Sequence, residues 1–162
     1  MGNKLPGDYI AGFVDGEGCF SLKFRRDVRK DRINSPEYYY WTIEFAILLK
    51  SDDKEVLKLI RNTLDCGNIS INKNRAARYS VSGIDDLFSK IKPFFSKYKL
   101  RAKKKFDYIL WSEALDIFKR NQDTVGKGTS QKDWSDKDQK RLFKIHSEMS
   151  KYKGGAHSSK WI

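Results

Sequence analysis

The sequence predicts an α+β fold, one four-stranded antiparallel sheet with helices covering one face. Two observations predict it. Two long runs, 18–29 and 38–49, alternate apolar with polar residues, and a shorter pair, 68–72 and 78–82, repeats the alternation. Elsewhere the apolar residues recur at helical spacing.

Taken in order, residues 5–17 read as a short helix. Pro6 lies just before its start, Asp8 is placed to cap it, and Gly16 and Gly18 stop it. In 18–29, Phe20, Leu22 and Phe24 take one face, and Ser21, Lys23 and Arg25 the other. A polar turn over 30–37 contains Asn34-Ser35-Pro36. In 38–49, Trp41, Ile43, Phe45 and Ile47 alternate with Tyr40, Thr42, Glu44 and Ala46. Ser51-Asp52-Asp53 should cap a helix over 52–64 that buries Val56, Leu57, Ile60 and Leu64 and breaks at Gly67. The third strand, 68–72, points Ile69 and Ile71 inward and Asn68, Ser70 and Asn72 outward. The fourth, 78–82, points Tyr79 and Val81 inward and Arg78, Ser80 and Ser82 outward.

Residues 84–96 look helical, with an interruption at Pro93. A long helix over 101–119 carries Phe106, Ile109, Leu110, Leu115 and Phe118 on its apolar face. A polar loop over 121–134 follows. Ser135 and Asp138 then form a capping-box-like start to a last helix with Leu142, Ile145, Met149 and Tyr152 in its stripe. Residues 153–162 read as a frayed tail. The expectation is a single domain over 1–162, with its core at about 5–120 and an extension over 121–152.

Thirty-three Lys and Arg against 21 Asp and Glu leave the 162 residues at +12, which points to a polyanionic partner, nucleic acid above all. Aromatic residues at 14% supply a core and argue against disorder. No apolar run is long enough to span a membrane, so no membrane partner is expected, and the start MGNKLPGDYI has no signal-peptide core. Cys19 and Cys66 make neither a disulfide framework nor a four-ligand zinc site, so reduced thiols and an intracellular location beside the nucleic acid are expected. His146 and His157 are the only histidines, and no Walker-type loop or Ser-His-Asp pattern occurs, which leaves no small-molecule cofactor to expect.

The outer face of the predicted sheet carries Lys23, Arg25, Arg29, Tyr40, Thr42, Glu44, Asn68, Ser70, Asn72, Arg78 and Ser80. Four cations against one carboxylate is an uneven balance for plain solvation. Such a face fits the major groove of double-stranded DNA, with donors and acceptors for base edges. Arg25 and Arg78 are the expected guanine readers, since bidentate Arg–guanine contacts are the commonest.

The first helix ends Ile10-Ala11-Gly12-Phe13-Val14-Asp15-Gly16-Glu17-Gly18-Cys19-Phe20. This resembles the LAGLIDADG homing endonucleases in the variant A-G-F-x-D-G-E-G-x-F, with Ala11, Gly12, Asp15, Gly16, Glu17, Gly18 and Phe20 at family positions. The run Tyr98-Lys99-Leu100-Arg101-Ala102-Lys103-Lys104-Lys105-Phe106-Asp107-Tyr108 looks like the Leu-x-x-Lys-Lys-x-x-Asp-Tyr/Phe segment near the end of the family's core. The resemblance covers roughly 5–120. It implies the family's fold, with the motif helix at a dimer interface. It also implies site-specific cutting of both DNA strands across the minor groove, leaving short 3′ overhangs, by a protein encoded within a mobile intron.

The motif has a physical reading of its own. Ala11, Gly12 and Gly16 leave a nearly bare helix flank, which lets a second helix approach closely. The chain holds one such motif, so the partner is a second copy across a two-fold axis, with Ala11, Gly12 and Asp15 at the interface. Two Glu17 carboxylates then meet where unpaired helix carbonyls also point, and a hard divalent cation relieves the repulsion. Glu17 and the Gly16 carbonyl are the expected ligands of Mg²⁺. Mn²⁺ should substitute, and Ca²⁺ should bind without efficient cleavage. Asp15 is read as structural, capping or hydrogen-bonding at the helix end.

In the family a lysine near the end of the core assists the chemistry, and Arg101 and Lys103 are both carried for that role. Lys104 and Lys105 are assigned to phosphates. Some relatives place a glutamine at the end of the second strand; here that place reads Ile47-Leu48-Leu49-Lys50, and Lys50 is the candidate substitute. The rival reading is a non-cleaving binder on the same scaffold, an RNA splicing cofactor or a DNA-binding regulator.

Overall fold

The computed structural model describes residues 3–125 and 131–152. Helix α1 (Gly7–Glu17) leads directly into strand β1 (Gly18–Val28), which returns as β2 (Glu37–Lys50). Helix α2 (Lys54–Leu64) precedes the short strands β3 (Asn68–Ile71) and β4 (Ala76–Val81). Then come α3 (Ile84–Asp86), α4 (Lys92–Lys97), α5 (Lys104–Val125) and α6 (Asp136–Tyr152). All neighbouring strands are antiparallel, in the order β1-β2-β4-β3. The α+β expectation holds, with a four-stranded antiparallel sheet backed by helices.

Register assigns the two faces. Phe20 lies opposite Phe45, which lies opposite Val81; Ile47 lies opposite Tyr79, which lies opposite Ile69. These residues meet the helices, and Phe20, Phe45, Ile47, Tyr79 and Val81 are buried with Trp111 of α5 and Phe95 of α4. One residue out of step, Lys23 opposes Thr42, Arg25 opposes Tyr40, and Arg78 opposes Ser70 on the other face.

Strand β4 ends opposite Phe45, so the first half of β2 has no strand neighbour on that side. Gln131 fills the place: its amide oxygen accepts from the Trp41 backbone N–H at 2.5 Å, and its amide nitrogen donates to the Trp41 carbonyl at 2.9 Å. The extension thereby caps an exposed sheet edge.

Several local expectations are corrected. Pro6 occupies the position before α1, and no side chain caps that helix; Asp8 sits in the first turn, where its charge meets the helix dipole. Ser51–Asp53 form a 3₁₀ turn without a capping side-chain bond. Helix α2 ends at Asp65, which takes the left-handed conformation (φ 57°), ahead of Gly67. Pro93 does not interrupt its helix, because the backbone widens into a π-helical turn over Leu87–Ile91 just before it.

Phe24 and Ile71 remain 41% and 55% exposed, at places where the cover of helices ends. Helix α5 starts and ends later than its periodicity suggested, and its buried line runs through Trp111, Ala114, Leu115 and Phe118. Phe106 and Ile109 face outward. Ser135 accepts the Asp138 N–H at 3.2 Å as expected, whereas the Asp138 carboxylate serves Arg120 and Asn121. The Tyr152 side chain and the 153–162 tail lie outside the described residues.

Gly67 allows β3 to start where it does. Its φ of +92° suits glycine, and an added Cβ would lie 2.6 Å from the Tyr79 ring and 2.9 Å from the Ser80 carbonyl. Gly67→Ala should therefore cost roughly 1–3 kcal/mol of stability. Urea denaturation should show a lower midpoint at an unchanged slope; an unchanged midpoint would contradict the assignment.

Candidate functional site

The last residue of α1 is Glu17, and both Glu17 and Gly16 are exposed. The same helix presents Tyr9, Gly12, Phe13 and Gly16 at i, i+3, i+4 and i+7, one continuous stripe. Tyr9 is 50% exposed and stacks on Phe13. A Cβ added at Gly12 or Gly16 would meet nothing within 4 Å, so backbone is open to approach between two aromatic rings and an acid. Ala11 departs from expectation: it is 3% exposed and packs within the chain's own interior, because it lies a third of a turn away from the Gly12 flank.

Asp15 also turns away from the stripe. Its carboxylate accepts from the backbone N–H of Arg101 at 2.9 Å and of Ala102 at 3.1 Å. These are donors just ahead of α5 that the helix itself cannot satisfy. Asp15 thus binds the end of the first helix to the start of the fifth, which is a capping role, and it does not face the open flank.

That clamp sets the register of the basic run. Arg101, Lys103 and Lys105 are exposed, and Lys105 lies 5.1 Å from the Phe106 ring centroid. Lys104 instead reaches back beneath α1 and donates to the Val14 carbonyl at 3.1 Å. Burial pulls its ammonium below the ordinary lysine range, against the opposing pull of Cys19, Asp15, Asp107 and Glu17. The cation held beneath the Glu17 end of α1 is Lys104, while Arg101 and Lys103 are exposed at the approach to α5. Four cations in five residues gave the sequence no means of choosing among them; only the Asp15 clamp does so.

On the sheet's outer face Arg25 donates from Nε to the Thr42 hydroxyl at 3.3 Å, and Arg78 pairs with Glu44. Lys23, Arg25, Asn68 and Ser70 are exposed; Thr42, Glu44, Arg78 and Ser80 are half-buried, and Tyr40 is 37% exposed. Leu48 and Lys50 continue the face toward Glu17, and Leu48 is 51% exposed, an apolar position that the sequence reading left out.

Two proposed members stand apart. Asn72 lies beyond β3, where its Oδ1 accepts from the N–H groups of Asn74 and Ala76 and holds the hairpin turn. Arg29 lies beyond β1 and pairs with Asp27 at 3.2 Å, beside a groove of about 420 Å³ lined also by Arg32, Tyr38 and Tyr40.

Among the described residues no group of three or more His, Cys, Asp or Glu stands together to hold a metal. Glu17 supplies one exposed carboxylate, and further oxygen ligands would come from water, backbone carbonyls, a phosphate or a second copy. A hard divalent cation fits that donor set, all oxygen and solvent-facing.

Lys104 offers a pH test. Its folded pKa is lowered, so below that value the ammonium carries its full burial cost; as pH rises toward 10.5 the folded chain releases the proton first and the cost fades. Wild-type stability should therefore gain on Lys104→Met between pH 7 and 10.5 in denaturant titrations. A difference that stays constant over that range would contradict the buried placement.

The family described as LAGLIDADG endonuclease matches residues 10–115. A probable intron-encoded DNA endonuclease of Mycosarcoma maydis is 32% identical over 108 residues, 67% of this chain and 36% of that protein. A probable intron-encoded endonuclease of Neurospora crassa is 31% identical over 127 residues, 76% of this chain and 25% of that protein. The chain thus spans about a quarter to a third of the length of these curated relatives. Among solved structures, I-SmaMI bound to uncleaved DNA in the presence of calcium ions superposes with a TM-score of 0.74 at 20% identity, covering 91% of this chain and 46% of that one. The homing endonuclease I-TnaI gives 0.70 at 23%, covering 92% and 96%. These two likenesses establish the fold.

Proposed function

Because the chain belongs to the LAGLIDADG endonuclease family, we propose that it is a site-specific endonuclease that hydrolyses one phosphodiester in each strand of a DNA duplex. It works as a homodimer on a long, near-palindromic target, in intron homing. The observation that carries this reading is the exposed Glu17 at the end of a helix whose Gly12–Gly16 flank is bare. A flank without side chains lets a second copy of α1 approach along it, with Tyr9 and Phe13 covering the outer turns. The two-fold axis then brings two Glu17 carboxylates together, one for each strand.

Glu17 and the Gly16 carbonyl would hold Mg²⁺, or Mn²⁺ in its place, which when bound supplies an activated water and offsets charge on the phosphate. Lys104, held against the Val14 carbonyl, brings its amine under the site, where partial burial strengthens the pull of its ammonium form on a phosphate. Arg101, Lys103 and Lys105 grip the backbone from solvent and contribute affinity and salt dependence. The sheet face reads base edges, with Arg25 braced by Thr42 and Arg78 by Glu44. Two such faces in a dimer call for a target with two-fold symmetry.

The test is cleavage of the target duplex with Mg²⁺ and with Ca²⁺, in wild type and Glu17→Gln. Wild type should cut both strands with Mg²⁺ and bind without efficient cutting with Ca²⁺. Glu17→Gln keeps the shape and removes the anion, so it should bind about as tightly and cut on the order of 1000-fold more slowly, roughly 4 kcal/mol of barrier. Equal cutting by the variant would remove Glu17 from the mechanism.

A further inference from the structure

Past Phe45, toward the β1–β2 turn, the sheet narrows to two strands. Strand β4 stops opposite Phe45, so residues 37–43 of β2 and their partners on β1 form a ribbon with no third strand among the described residues. Lys23, Arg25, Tyr40 and Thr42 stand on its outer face, and Arg25 donates to the Thr42 hydroxyl across it. Two-stranded ribbons twist strongly and are marginal by themselves. A face meant to read bases needs an outside support there.

That support comes from residues 131–143, beyond the 10–115 that carry the family likeness. The Gln131 side chain takes the place of a strand residue: it accepts from the Trp41 N–H at 2.5 Å and donates to the Trp41 carbonyl at 2.9 Å. Gln139 closes a ring, accepting from Trp41 Nε1 at 3.1 Å and donating to the Gln131 carbonyl at 2.7 Å. Beneath the ribbon, Phe143 of α6 meets Phe24 at 4.9 Å and Trp41 at 4.7 Å. Trp41 is buried, and its two neighbours in the chain are the outer-face residues Tyr40 and Thr42.

The support is itself anchored on α5. Trp134 packs on Phe118 at 5.1 Å, and Asp138 pairs with Arg120 and accepts from Asn121 at 2.9 Å. The start of α5 is held by Asp15, beside Glu17. One helix of 22 residues, about 33 Å long, thereby connects the acid to the ribbon.

We propose that Gln131 is a positioning residue for DNA recognition: through the backbone of Trp41 it fixes the twist of the ribbon, and so sets base preference in the part of each half-site farthest from the cuts. The inference rests on the proposed reading of the outer face as the DNA surface. Bidentate hydrogen bonds from an arginine are directional, so Arg25 on a ribbon free to twist reads its base loosely. Arg78 and Ser80 stand on β4, where β2 has a strand on each side, and do not depend on Gln131.

The test is selection of bound duplexes from a randomised pool, with Ca²⁺, by wild type and Gln131→Met. The variant keeps the length of the side chain and removes both hydrogen bonds to Trp41. Enrichment of the preferred bases should fall at least about threefold at the outer positions and stay unchanged at the inner ones. With Mg²⁺ and the duplex that wild type selects, KM should rise severalfold while kcat changes less than about twofold. A merely destabilised chain would keep its base preferences. Melting curves check that the variant folds, and amide exchange on the wild type gives a measurement that needs no variant: the Trp41 N–H should be protected although no strand faces it. Free exchange at Trp41, outer preferences kept by the variant, or a loss spread evenly over the half-site would overturn the proposal and leave the reading of the sheet standing. A wild type that enriches no sequence would overturn both.

Discussion

The candidate site depends on the clamp between Asp15 and the two backbone N–H groups ahead of α5. A helix end normally leaves its carbonyls, and a helix start its N–H groups, for solvent or caps to satisfy. Here one carboxylate from the end of α1 satisfies the start of α5, and Lys104 returns the bond by donating to the Val14 carbonyl. The two helices are thus fastened at the point where Glu17 emerges. Glu17 itself forms no part of the clamp, which leaves its carboxylate free for chemistry.

Neighbouring features follow from that constraint. Glu17 is followed at once by Gly18, and Gly18 opens β1 opposite Ile47, so the acid is carried at the end of the sheet. The outer face begins beside it with Cys19, Ala46 and Leu48 and runs outward to Lys23, Arg25 and Tyr40. The exposed acid at one end and the polar outer face along the length come from one continuous stretch of chain, residues 15–25. The price is a half-buried cation, Lys104, whose desolvation the surrounding acids only partly offset.

Much of this was legible in the amino-acid order, and the reasons are local. Period-two alternation marks β1 and β2 because each buries one face, and the small residues ahead of Glu17 mark a helix flank that is bare. Where tertiary contacts decide, the order alone misled. Ala11 is as small as Gly12 yet faces inward, since one residue turns a helix by about 100°. Phe106 and Ile109 fit an apolar stripe, but the Asp15 clamp starts α5 at Lys104 and rotates Trp111 into the core. Lys104 was indistinguishable from Lys103 and Lys105 until the carboxylate 89 positions earlier fixed which one turns inward. Asn72 looked like another outward strand residue, but its side chain closes the turn.

The central claim is that one Glu17 serves each DNA strand, across a two-fold axis made by the bare flank of α1. Mixed dimers of wild type and Glu17→Gln test it most directly. Two differently tagged copies, purified together on both tags, would be given a supercoiled target plasmid with Mg²⁺. One working acid per dimer should yield nicked circles, with a single strand cut and little linear product. Linear product at the wild-type rate, or no nicking at all, would contradict the assignment of one Glu17 to each strand.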